Sequence, residues 1–174
     1  DRIVPDCIRS LRRNERIPIR NKTATRPWQH VLEPLSGYLW LGALLANPAL
    51  CKYPQNLLAS AFNFGPNHDS NRSVAELVEQ ILSHWPGQWE DRSDPKAVHE
   101  ASLLQLSIDK ANALLGWSPR WDFTEAVRQT VAWYQVAESR PDSASLRNLT
   151  LSQIFDYCAV VGHKPLSWPP LPPL

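Results

Sequence analysis

A mostly helical α/β fold with an incomplete sheet is predicted by three observations. Apolar residues recur at helical spacing in several segments, and start or stop signals flank them. Only two short stretches, Ile17 to Arg20 and Ala59 to Phe64, read as strands. Such strands make a poor sheet by themselves, because unpaired edges and one-sided burial are costly. The sheet neighbours they should join are not evident in these 174 residues.

The elements follow in order. Pro5 to about Arg13 reads as a short helix, with Ile8 and Leu11 facing inward and Arg9, Arg12 and Arg13 in water. The Ile17 to Arg20 strand follows, then a polar turn at Asn21, Lys22 and Thr23. Glu33 to Ala46 is a helix with Pro34 in its first turn. Tyr38, Leu39, Trp40, Leu41, Leu44 and Leu45 leave it almost no polar face, so burial on several sides is expected. After the Ala59 to Phe64 strand comes the clearest helix. Ser73 and Glu76 form a capping box, and Val74, Leu77, Val78, Ile81, Leu82 and Trp85 make one stripe that stops at Pro86-Gly87. Trp89 to Glu100 reads as a charged loop, and a helix from near Ser107 closes at Gly116. A further helix spans about Phe123 to Ala137. The last runs from Leu151 to Val161, with Thr150 and Gln153 as a second capping box, before a proline-rich tail at 163–174.

Composition narrows the function classes. The chain is 43% hydrophobic and 20% charged with a net charge of +1, which suits one globular domain or parts of two. No basic block supports nucleic-acid binding, and Leu39 to Ala46 is far too short to span a bilayer. The chain opens on Asp1 with no secretory signal, and methionine is absent throughout. It is therefore expected to be a cytoplasmic protein and a piece of a longer one. Three distant cysteines, Cys7, Cys51 and Cys158, suit reduced thiols better than a disulfide or zinc framework. The histidines at 30, 68, 84, 99 and 163 have no metal-ligand spacing, so no metal is expected. Sequons at Asn21, Asn71 and Asn148 read as chance matches.

A series of motifs occurs in one order: Asp1-Arg-Ile-Val-Pro-Asp6, Ile19-Arg-Asn21, Ala24-Thr-Arg-Pro-Trp-Gln-His-Val-Leu-Glu-Pro-Leu35, Phe62-Asn-Phe-Gly-Pro66, His99-Glu-Ala101 and Leu115-Gly-Trp-Ser-Pro119. This series resembles the C-terminal half of the CDP-glucose 4,6-dehydratases, which are extended short-chain dehydrogenases/reductases. The likeness runs from residue 1 to about 137 and more weakly to about 160. It implies the C-terminal part of a Rossmann fold plus a small α/β substrate-binding domain. Late Rossmann elements at about 26–64 would interleave with substrate-binding segments at about 1–25 and 65–137. A polar linker at 138–149 and a terminal helix at 150–162 would follow. The family reaction implied uses bound NAD to convert CDP-glucose to CDP-4-dehydro-6-deoxyglucose and water, and full-length relatives are implied to be homo-oligomers. A dTDP- or UDP-sugar dehydratase or epimerase is the rival within the superfamily. A non-enzymatic interaction module, using the tryptophans and the tail, is the rival from another class.

NAD binding needs a glycine-rich turn from strand into helix. The glycines at 37, 42, 65, 87, 116 and 162 never take that spacing, and no tyrosine has a lysine four positions later. Neither cofactor-binding nor catalytic residues are therefore assigned, and the chain alone is expected to be inactive. The binding side remains. Arg26 is the candidate for a diphosphate contact, because a guanidinium fork matches phosphate oxygens, against an ordinary ion-paired arginine. By the same resemblance Arg2 faces the nucleotide or sits solvated at a frayed end. His99 and Glu100 lie where relatives place a phosphate or ribose contact, against a loop salt bridge. Trp28 is a candidate for stacking near the ligand, against core packing, and His30 reads as a hydrogen-bonded scaffold residue. Ser107 stands where relatives open a helix with aspartate, and is expected to cap it instead.

Overall fold

The computed structural model describes residues 2–50, 52–93, 104–139 and 142–160. Helix α1 (Ile3–Arg12) begins the chain and turns through Arg13 and Asn14 into strand β1 (Ile17–Ile19). Asn14 takes the left-handed conformation that this tight reversal requires (φ 54°). Strand β2 (Thr25–Pro27) precedes α2 (Leu32–Ala46), and the short α3 (Gln55–Leu58) follows. Strand β3 (Asn71–Ser73) runs directly into α4 (Val74–His84), and β4 (Trp89–Asp91), α5 (Asp109–Leu115), α6 (Phe123–Glu138) and α7 (Ser143–Ala159) complete the order.

Two separate ribbons replace a sheet. β1 pairs with β4 in parallel, Ile17 beside Trp89 and Ile19 beside Asp91. β2 pairs with β3 antiparallel, Arg26 directly opposite Arg72. The expected Ala59 to Phe64 strand does not form, since residues 61–67 run without a ladder partner. Its apolar side chains are used differently: Phe64 is buried edge-on to Trp117 at 4.9 Å between ring centroids. Conversely, β4 lies in the stretch read as a charged loop, because Ile17 and Ile19 offer it a distant partner that local sequence does not reveal.

Burial is organised in two clusters. One joins α1, β1, α4 and α6 through Cys7, Leu11, Ile17, Val78, Ile81 and Val131. The alternation of buried Ile17 and Ile19 around exposed Pro18 fixes which face of β1 enters it. The capping box of α4 is present on both sides, with Ser73 Oγ accepting from the Glu76 N–H and Glu76 Oε2 accepting from the Ser73 N–H at 2.7 Å. The second cluster joins α2, α3, Phe64 and α5 through Leu44, Leu58, Ala111, Leu115 and Trp117. Here Gly37 lets α2 lie against the Phe64 ring, where a Cβ would come within 2.2 Å. Gly116 closes α5 in the left-handed conformation (φ 63°).

Along one face of helix α2 and its N-cap, Val31, Leu35, Tyr38, Leu39 and Leu45 are exposed, Leu39 at 64%. Among the described residues only its Glu33, Gly37 and Leu44 side is covered, so the burial on several sides that its apolar surface calls for is not supplied here. Three expectations are corrected. The segment read as a polar linker is helical from Ser143, because Asp142 caps it by accepting from the Ser145 N–H at 2.7 Å. Thr150 and Gln153 therefore sit within α7 and cap nothing. Thr150 Oγ1 accepts from Trp133 Nε1, and buried Gln153 donates to the Gln129 carbonyl at 2.7 Å, so both dock α7 on α6. Ser107 also fails to cap α5, whose N-cap is Ile108, and donates instead to Asp109 Oδ2 at 3.0 Å. The tail at 163–174 lies outside the described residues.

Candidate functional site

A groove of about 500 Å³ opens between α1, β1 and the β2–β3 ribbon. That volume falls in the range of small-molecule sites. Ile3, Asp6, Arg9 and Ser10 line it from α1, with Arg13 just beyond the helix end. Pro18, Ile19 and Arg20 form the opposite wall, and Ala24, Arg26 and Val74 come from the ribbon and the start of α4. The groove thus carries four arginines against two carboxylates, Asp6 and Glu15. Arg9 is ion-paired with Asp6. With more arginines than carboxylates on its walls and an apolar lip, the groove suits an anionic ligand with a flat or hydrophobic end.

The sequence candidates distribute unevenly. Arg26 stands on the groove wall, where its Nη1 also donates to its neighbour's Thr25 carbonyl at 2.8 Å. Arg2 is exposed at the N-cap of α1, its carbonyl accepting the Asp6 N–H at 3.0 Å, one residue short of the groove wall at Ile3. Trp28 packs against the first core cluster, and its Nε1 donates to the Arg72 carbonyl at 2.8 Å, tying the two ribbon strands together. Those contacts favour core packing over ligand stacking. His99 and Glu100 lie outside the described residues. Arg9, Arg13 and Arg20 were not singled out as binding residues. The legible signal was the four-residue spacing of Arg9 on α1 and Arg13 at its C-cap, but only the tertiary fold brings them opposite Arg20.

His30 is a scaffold residue, as expected. It is buried edge-on to Trp121 at 4.9 Å, and its Nδ1 accepts the Leu32 N–H at 3.3 Å. Burial pushes its pKa down to about 4, against the opposing charge of Glu125, so the imidazole is neutral. Behind it lies a polar node that the sequence did not disclose. Glu33, only 1% exposed, accepts the Arg120 N–H at 3.0 Å, the Trp121 N–H at 2.7 Å and the Tyr157 hydroxyl at 2.6 Å. Ser36 Oγ lies 3.0 Å from the Tyr157 hydroxyl and accepts from Trp117 Nε1 at 2.9 Å. Burial pushes the Glu33 carboxyl up while these hydrogen bonds pull it down, and Tyr157 is held well above the ordinary phenol range. With every partner a donor, the node is a structural knot between α2, the Arg120–Trp121 turn and α7.

Among the described residues, no helix is long and apolar enough to cross a membrane and no side-chain cluster could hold a metal ion. The described glycines lie within α2, at Gly65, between α4 and β4, and at the end of α5. None stands at a turn from strand into helix, so these residues do not fit a dinucleotide pyrophosphate.

Solved structures show the same fold. The chain is similar to dTDP-glucose 4,6-dehydratase from Bacillus anthracis in complex with NAD (TM-score 0.60, 18% identity, 79% of this chain and 40% of that one). It is also similar to WbmF from Bordetella bronchiseptica in complex with NADH (TM-score 0.59, 19% identity, 91% and 42%). An epimerase from Methanothermobacter thermautotrophicus gives a TM-score of 0.57 at 20% identity, covering 85% of this chain and 40% of that one. The fold is therefore that of part of a sugar-nucleotide dehydratase or epimerase. In sequence, the chain is 37% identical over 139 residues to CDP-glucose 4,6-dehydratase of Salmonella typhimurium, covering 78% of this chain and 36% of that enzyme. The chain therefore spans little more than a third of that enzyme's length, and it is similar to the enzyme's C-terminal part. No family model matches it.

Proposed function

We propose that this chain is the sugar-nucleotide-binding part of a CDP-glucose 4,6-dehydratase, an NAD-using lyase, and that its arginine-lined groove holds the CDP moiety. The observation that carries the reading is Arg26. It lies in the Ala24 to Leu35 run that resembles the family, and the fold sets it on the wall of the cationic groove. A guanidinium matches diphosphate oxygens in shape and charge, and Ile3, Pro18 and Ile19 offer apolar surface for the base or sugar. CDP is favoured over the dTDP and UDP alternatives by the 37% identity to a CDP-glucose enzyme. The parent reaction, CDP-glucose to CDP-4-dehydro-6-deoxyglucose and water, draws its oxidant from bound NAD. The missing glycine-rich turn and Tyr-x-x-x-Lys pair support a chain that binds the nucleotide but does not turn it over alone. A cytoplasmic setting and assembly of the full-length parent into homo-oligomers belong to the same reading.

Calorimetric titration of the chain with CDP, UDP and dTDP tests it. CDP is expected to bind most tightly, and Arg26→Gln to weaken it by roughly 10- to 100-fold, the worth of a charge-assisted hydrogen bond. Absence of heat with all three nucleotides overturns the proposal and favours the non-enzymatic interaction module.

A further inference from the structure

The turn that leaves β1 carries a group that the fold does not need. Asn21 Oδ1 accepts the Ala24 N–H at 3.1 Å and the Thr23 hydroxyl at 3.3 Å, an Asx turn that starts the reversal into β2. An N–H can only donate, so the atom facing Ala24 is the amide oxygen, and the orientation of the side chain is fixed. Its Nδ2 then keeps both donors, since none of the described residues takes them. Asn21 is exposed and lines the groove. The turn asks only for an acceptor, which aspartate or serine supplies as well. The nitrogen is spare.

The turn is also held from both sides. The Arg92 N–H donates to the Ile19 carbonyl at 2.8 Å, just before Asn21. The Ala75 N–H donates to the Lys22 carbonyl at 3.0 Å and the Val74 N–H to the Ala24 carbonyl at 2.9 Å, just after it. Lys22 Nζ adds an ion pair to Asp91 at 2.7 Å. The end of β4 and the start of α4 therefore set where the amide stands before any ligand arrives, which lowers the cost of binding to it. Asn21 follows directly on Pro18 and Ile19, the apolar wall assigned to the base. A fixed donor there distinguishes pyrimidines at ring atom N3. Cytosine leaves N3 unprotonated and accepting, whereas uracil and thymine carry N3–H. Two donors facing each other leave both without a partner, a mismatch that a site built around a hydrogen bond rejects strongly.

We propose that Asn21 sets a preference of the groove for cytosine, its Nδ2 donating to the unprotonated N3 of the base. This rests on the reading of the groove as a nucleoside-diphosphate site. It also gives the Ile19-Arg-Asn21 motif a role in choosing the base, alongside its role in the turn.

The test titrates the 174-residue chain calorimetrically with CDP, UDP and 3-deaza-CDP, in which a C–H replaces N3. The wild type is expected to favour CDP over UDP by about 10- to 100-fold and over 3-deaza-CDP by about tenfold. Asn21→Asp keeps the acceptor for Ala24 and Thr23 but turns the outward atom from donor to acceptor. Its added charge weakens every diphosphate, yet the ratio is expected to reverse, with UDP favoured over CDP severalfold. An Asn21 that served only the turn would leave that ratio where it was. If the wild type binds CDP but does not distinguish it from UDP or 3-deaza-CDP, or if Asn21→Asp keeps the CDP preference, the groove reading stands and the role of Asn21 is refuted. If the wild type binds neither CDP nor UDP, both fall together.

Discussion

Replacing Glu33 by alanine removes the acceptor at the centre of the buried node. Three donors then lose their partner inside the protein: the Arg120 and Trp121 N–H groups and the Tyr157 hydroxyl. Each orphaned buried donor costs about 1–3 kcal/mol, offset in part because a buried carboxylate no longer has to be desolvated. A net loss of about 3–5 kcal/mol follows, a large share of the 5–15 kcal/mol that typically holds a domain together. At roughly 2–4 °C per kcal/mol for a chain of this size, the melting midpoint should fall by about 6–20 °C. Tyr157→Phe removes one hydrogen bond to the carboxylate and is expected to cost about 1.5–3 kcal/mol. The double variant should cost less than the sum of the two, since both remove the same bond. Thermal and urea unfolding, followed by circular dichroism, measure all three. A Glu33→Ala protein melting within about 2 °C of wild type, or strict additivity with Tyr157→Phe, would refute the node as the fastening of α7.

Two further outcomes are expected. His30 is depressed from 6.5 to about 4 by burial, so the unfolded chain binds the extra proton first. Its contribution is complete above pH 6.5 and fades as pH falls through 4, about 3 kcal/mol in all, and subtracting the urea-melt profile of His30→Gln from wild type between pH 7.5 and 4 isolates it. A flat difference would show that the ring is not held neutral. The exposed apolar face of α2 is expected to drive self-association. Leu35→Lys with Leu39→Lys should lower light scattering at fixed concentration while moving the melting midpoint by only a degree or so, and unchanged scattering would contradict the role of that face.

How far the sequence could be read depended on where each residue's partner lay. Helix α4 was legible from Ser73 to His84 because its cap, apolar stripe and stop signal are all local. Gly116 was legible as a helix stop for the same reason, since a left-handed residue suits glycine wherever it occurs. The Thr150 and Gln153 pair carries a similar local pattern and means something else. Asp142 has already started α7 upstream, and Trp133 and Gln129 of α6 take up both side chains. Residues 59–64 show the reverse error: strand-like composition forms no strand where the ladder partner is absent.

The site divides along the same line. Arg26 was singled out because it sits in a contiguous run resembling a known family. The groove around it was not, because Arg9, Arg13 and Arg20 belong to separate elements or turns whose approach depends on how α1, β1 and the ribbon pack. Short-range chemistry, the caps, turns and amphipathic stripes, was settled residue by residue in the chain itself. The convergence of arginines on one groove, and the burial of Glu33 among three donors, were settled by long-range packing, in which a side chain's role follows from neighbours that the linear order keeps apart.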